Sequence, residues 1–128
     1  MGKILHNIMI LLYSILTLGA FISGGMLIIE PSGKSMGLAR DLLNNTPFHN
    51  YLIPGILLFG VIGLTQALCA IKLKSGGSYT KQMMLFAGIS ILIWIIVQLS
   101  MLGYVFFLQA IILIVAILEL LYAIKYKP

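Results

Sequence analysis

Residues 82–124 read QMMLFAGISILIWIIVQLSMLGYVFFLQAIILIVAILELLYAI, with Lys81 before them, Lys125 after them and one charged residue, Glu119, inside. About 20 apolar residues at 1.5 Å each cross the roughly 30 Å hydrocarbon core of a bilayer, so this stretch is long enough to cross twice. Gly103-Tyr104 interrupts it near the middle and leaves room for a tight hairpin only. The reading is therefore two antiparallel helices, about 81–102 and 105–125.

The pattern repeats toward the N-terminus. An apolar run from Ile4 to Ile29 stops at Glu30-Pro31-Ser32-Gly33, a cluster of helix breakers. It is about twice as long as a signal-peptide core, so it is expected to remain as a helix. Another run starts near Pro54, whose missing N–H suits a first helical turn, and ends before the flexible turn Lys74-Ser75-Gly76-Gly77-Ser78. The expected fold is all-α: a single transmembrane domain, residues 1–128, forming a four-helix bundle. Its helices span about 4–29, 53–73, 81–102 and 105–125.

The outer loop, 30–52, carries a pattern of its own. Ser35 can cap a short helix reaching about Asn44, with Met36, Ala39, Leu42 and Leu43 on one face. That predicts a short amphipathic interfacial helix in the first extracytoplasmic loop, lying on the membrane surface or closing as a lid over an outward-facing site. Phe48, His49 and Tyr51 follow at the depth where aromatic rings anchor among headgroups.

Composition agrees with this class and excludes others. The chain is 61% hydrophobic and 9% charged, whereas a soluble domain has roughly a quarter of its residues charged. Its net charge of +5 comes from lysines at helix ends, which set orientation and meet anionic lipid headgroups, so no nucleic-acid partner is expected. Lys3, Lys72, Lys74, Lys81, Lys125 and Lys127 fall on one side; only Lys34 and Arg40 fall on the other. The excess of basic residues predicts a multi-pass protein of the cell membrane, of the bacterial inner-membrane kind, with both termini cytoplasmic.

Chemistry is sparse. Cys69 is the single cysteine, which removes any internal disulfide or CxxC motif. No His/Asp/Glu cluster has ligand spacing, and no serine or cysteine has a base nearby, so no catalytic residue, metal or cofactor is assigned. Polar side chains in hydrocarbon are costly and are expected to turn inward. Helical spacing places Asn7, Ser14, Thr17, Phe21 and Gly24 on one stripe of the first helix, and Phe59, Gly63, Gln66 and Ala70 on the second. The third offers Ala87, Ser90, Trp94, Gln98 and Met101, and the fourth Gln109, Ala116, Glu119 and Ala123. Gly19-xxx-Ser23 and Gly63-xxx-Ala67 add small-residue spacings that permit close helix approach.

Depth divides these residues into two candidate layers. Gln98 and Gln109 lie level on either side of the outer hairpin, near Trp94, and form an outer-layer site: a polar clasp between helices or a ligand contact. Glu119 lies six residues before Lys125, roughly 9 Å along the helix. With Gln66, Ser90 and Asn7 it forms an intramembrane polar site. A carboxyl there either pairs with a snorkelling lysine (Lys3, Lys72 or Lys125) or handles a proton or cation.

Size and helix number resemble small multidrug-resistance transporters, but the glutamate midway along their first helix has no counterpart here. The redox proteins related to vitamin K epoxide reductase need a CxxC, which is also missing. Pro31-Ser32-Gly33 after helix one, Pro47-Phe48, and Pro54-Gly55 at the start of helix two resemble the pattern of small bacterial four-helix integral membrane proteins. That resemblance covers most of the chain and implies the fold but no activity. Three functional expectations follow. The first is a non-enzymatic membrane protein working through partners, as an accessory subunit or homo-oligomer among membrane lipids. The second is a small oligomeric transporter or channel using Glu119. The third is a lipid-binding or lipid-modifying protein using the outer loop and the Trp94–Gln98–Gln109 layer.

Overall fold

A computed structural model describes residues 2–34, 47, 49–102 and 107–126. Among them are four helices long and apolar enough to cross a membrane: α1 (Gly2–Ile29), α2 (Leu52–Ser75), α3 (Thr80–Leu102) and α4 (Phe107–Lys125). The expected interfacial helix at 35–44, Phe48, and the Gly103-Tyr104 hairpin lie outside the described residues, as does the side chain of Met101.

Consecutive helices pack side by side in chain order, antiparallel, so residues near both termini share one end of the bundle. At the other end the Tyr51 N–H donates to the Pro31 carbonyl at 2.7 Å and ties the start of α2 to the end of α1. α2 stops where Gly76 adopts a left-handed conformation (φ 73°) and returns its N–H to the Lys72 carbonyl at 2.7 Å. A residue without Cβ takes that conformation without strain, which is why helices so often end on glycine.

The α1–α2 crossing brings the two backbones close together. A Cβ placed on Gly24 lies 2.7 Å from the Phe59 nitrogen and 2.8 Å from the Gly55 carbonyl oxygen; one on Gly55 lies 2.7 Å from Leu27 Cβ. Just below, the Phe21 and Phe59 rings meet at 4.8 Å between centroids, and Phe21 covers Gly63. Small residues on both helices are what let the backbones come this near.

α2 is not uniformly α-helical. Leu58–Gly63 forms a π-helical turn, which holds one more residue than an α turn. Four of the five residues 62–66 are buried around it: Ile62, Gly63, Thr65 and Gln66. The Thr65 hydroxyl donates to the Val61 carbonyl at 2.7 Å and the Ile62 carbonyl at 3.1 Å, so it is satisfied within its own helix.

Two apolar clusters fill the interior. One holds Met9, Tyr13, Cys69, Leu73, Met84, Ala87 and Ala123; the other holds Ala20, Ile62, Ile91 and Ala116. Outside, the helices are apolar too. Only 22% to 33% of each helix's most apolar stretch is buried, and α1 presents Leu11, Ile15, Leu18 and Ile22 outward along one ridge.

The inward face of α1 differs from the polar stripe read in the sequence. Met9, Tyr13, Ala20, Gly24 and Leu27 are buried, Ser14 and Thr17 are half-buried, and Asn7 is exposed. Ser14 and Thr17 donate to the carbonyls of Ile10 (2.8 Å) and Tyr13 (2.7 Å), four residues back. A hydroxyl satisfied by its own helix needs no partner across the bundle. Asn7 sits near the helix start, where its amide reaches the surface without turning inward.

Candidate functional site

Glu119 lies on the stripe of α4 with Gln109, Ala116 and Ala123, all four buried, in the spacing that a single inward helix face requires. On α2, Gln66 follows the π-helical turn directly. The two side chains meet across the bundle: Gln66 Nε2 donates to Glu119 Oε1 at 2.9 Å, and neither residue has any accessible surface. By position along every helix, the pair lies between the two apolar clusters, so a carboxyl and an amide form a polar layer in an otherwise hydrocarbon interior.

That layer is incompletely paired. Glu119 Oε2, Gln66 Oε1 and the Tyr13 hydroxyl are buried with no hydrogen-bond partner among the described residues. Tyr13, from α1, is fully buried and within electrostatic reach of Glu119, Cys69 and Tyr122. Buried polar atoms are paired in the great majority of cases, so three orphans on neighbouring groups mark the layer as unusual.

The lysine partners expected for Glu119 are not there. Lys3, Lys74 and Lys125 are exposed, and the Lys72 ammonium donates to the Ser78 carbonyl at 2.8 Å. Among the described residues the carboxyl has a neutral amide as its hydrogen-bond partner instead. The physical reason is distance: Lys125 lies six residues further along α4, roughly 9 Å by helical rise, and its side chain is exposed. Of the other residues assigned to this layer, Ser90 is half-buried on α3 without a hydrogen bond to the pair, and Asn7 faces outward.

The second candidate layer keeps its geometry. Gln109 is buried and Gln98 half-buried, and Gln109 Nε2 donates to Gln98 Oε1 at a long 3.4 Å. Trp94 packs against the cluster of Ala20, Ile62, Ile91 and Ala116 rather than adding a polar contact there. This is a clasp between α3 and α4 one turn from their shared end.

Sequence reasoning missed three residues around Glu119. Tyr13 received no assignment from the sequence and Cys69 only that of the single cysteine, and both are wholly buried. His6 was assigned to no site either, and it ties three helices together. Its Nε2 lies 2.9 Å from the Leu73 carbonyl and its Nδ1 lies 3.3 Å from the Tyr122 hydroxyl. A carbonyl can only accept, so Nε2 carries the hydrogen, and in the neutral ring Nδ1 accepts from Tyr122. The Leu73 oxygen belongs to the last turn of α2, where carbonyls lack partners within the helix, which explains why a side chain from α1 caps it. The signal was available: His6, Met9 and Tyr13 are spaced by three and four, a stripe masked by the search for small and amide residues.

A groove of about 610 Å³ opens between α1 and α4 at this end, lined by His6, Tyr122 and Lys125 together with Leu5, Leu12 and Leu118. Among the described residues, no three His, Cys, Asp or Glu side chains converge as metal ligands do. The chain matches no known family model, no curated protein and no solved structure.

Proposed function

We propose that this chain is a multi-pass integral membrane protein, with both termini in the cytoplasm, that works without catalysis by associating with a second copy or a partner subunit in the bilayer. The supporting observation is the outward surface of the bundle. It is apolar along all four helices, and on it Gly19 has no heavy atom within 4 Å of where its Cβ would stand. Gly19 and Ser23, one turn apart, thus leave a shallow small-residue row beside the ridge of Leu18 and Ile22, of the kind that lets another helix approach closely. Lysine placement supports the orientation: Lys3, Lys72, Lys74, Lys81 and Lys125 share the end that bears the termini.

Native mass measurement from lipid bilayers tests the association. The expected result is a dimer or higher assembly that Gly19→Leu shifts toward the monomer; a wild-type monomer in every lipid refutes it. Orientation is tested by thiol labelling in intact cells with a membrane-impermeant reagent, against a background of one buried cysteine. Ser32→Cys should label and Ser78→Cys should not, and the reverse pattern overturns the topology.

A second reading, a small oligomeric transporter that uses Glu119, is favoured by a specific observation. The carboxyl is wholly buried, held by a neutral amide and left with one oxygen unpaired. An ionisable group inside a membrane is costly and marks a candidate ion or proton pathway. In reconstituted vesicles this reading predicts gradient-driven flux that Glu119→Gln abolishes with the fold intact; retained flux refutes it.

A further inference from the structure

We infer that Glu119, Gln66 and Tyr13 form a proton-binding centre, reached from the end of the bundle that carries both termini by way of Tyr122 and His6. The inference rests on the transport reading only for the purpose that the proton serves. It names the bound ion and the side from which it comes.

With Glu119 as a carboxylate, two unpaired acceptors (Glu119 Oε2 and Gln66 Oε1) face one free hydroxyl donor, Tyr13. Cys69 adds only a weak thiol donor. In the structure the phenol bonds neither acceptor, so both stay orphaned, and a negative charge sits there without a hydrogen-bonded cation among the described residues. Each of these is expensive in an apolar interior. A proton on Oε2 removes both difficulties. The carboxyl then supplies an O–H of its own for the open Gln66 oxygen, and the charge is gone. Gln66 suits this role because its N–H holds Glu119 Oε1 in either state, while its own oxygen is free to accept from the loaded acid. Loading forms one O–H bond at Oε2 and turns a hydronium into water; unloading reverses both.

The surroundings limit what else titrates there. Facing the centre are Tyr13 from α1, Cys69 and more distantly Lys72 from α2, and Tyr122 from α4. From α3 the neighbours are Met84 and Ala87, which do not titrate. Access is set by α4. Tyr122 lies three residues beyond Glu119, hence on the same face, and its hydroxyl bonds His6, which lines the groove between α1 and α4. His6 is thus the titratable group between the groove and the buried acid.

The chain has only two glutamates, Glu30 and Glu119, which makes a direct test simple. The full-length protein, labelled with ¹³C at the glutamate carboxyls and reconstituted in bilayers, should give two carboxyl signals by solid-state NMR. At a pH where Glu30 reads as carboxylate, Glu119 is expected to read as protonated acid, and Glu119→Gln should lose that signal. If that variant does not fold, Glu30→Gln makes the assignment by removing the other signal. Two carboxylate signals overturn the proposal. His6→Phe should keep the acid signal but slow its exchange with deuterium; an unchanged rate overturns the access route. An acid signal without flux leaves the centre standing and removes transport, whereas flux with a carboxylate signal does the opposite.

Discussion

Replacing Gly24 with alanine tests whether the α1–α2 crossing is held at backbone contact. The new Cβ meets the Phe59 nitrogen at 2.7 Å and both the Gly55 oxygen and Phe59 Cβ at 2.8 Å, a shortfall of about 0.7 Å from the 3.4 Å at which ordinary contact begins. Two of those three atoms are backbone, so no rotamer change relieves the clash and the helices must part. Overpacking of this kind costs about 1–3 kcal/mol, and the rigid neighbours place this case in the upper half of that range. Alanine also gains up to about 1 kcal/mol of helix propensity over glycine, which would hide part of the loss. Gly25→Ala supplies the reference, because its Cβ meets only the Phe59 ring at 3.9 Å and gains the same propensity. The assay is unfolding of each variant by denaturant in mixed micelles, followed by circular dichroism. Gly24→Ala should unfold more easily than Gly25→Ala by about 2–3 kcal/mol. A difference below about 0.5 kcal/mol, the usual scatter of surface substitutions, would refute the close-contact reasoning.

Three further outcomes follow from buried pairings. Gln66→Leu strips Glu119 of its donor and should cost about 1–3 kcal/mol in the same unfolding assay, while Gln66→Leu combined with Glu119→Leu should recover most of that loss; equal stability of the two variants contradicts the pairing. Thr65→Val removes the hydroxyl from the Val61 and Ile62 carbonyls and should destabilise by about 0.5–1.5 kcal/mol, checked by thermal melting. Cys69 has no accessible surface, so a water-soluble maleimide should leave the folded protein unlabelled and modify it fully once denatured; rapid labelling of the folded protein shows that the interior is open.

The helices were legible because hydrophobic length is a strong signal, and α4 was the most legible element. Gln109, Ala116, Glu119 and Ala123 stand out against isoleucine and leucine, and all four are buried. α1 was harder. Its serine and threonine bond their own backbone, so polarity there does not report direction, and the buried Tyr13 was hidden among other large residues. The π-helical turn left no periodic trace, since glycine at 60 and 63 is compatible with several backbone geometries. Of the candidate site, Glu119 and Gln66 were readable as costly groups in hydrocarbon. That they meet each other, rather than Lys72 or Lys125, depends on helix rotation that no spacing rule supplies.

The π-helical turn places Gln66 by an extra residue rather than by a side chain. Straightening Leu58–Gly63 into an ordinary α ladder at unchanged chain length would turn everything beyond it by about 100°. Gln66 would swing away from Glu119, and His6 would lose the Leu73 carbonyl, though every side chain involved were still encoded. The polar layer is therefore specified by the backbone ladder of α2 as well as by composition. Loss of the extra residue together with the π turn would leave it facing the same way, whereas loss of the turn alone would disconnect it.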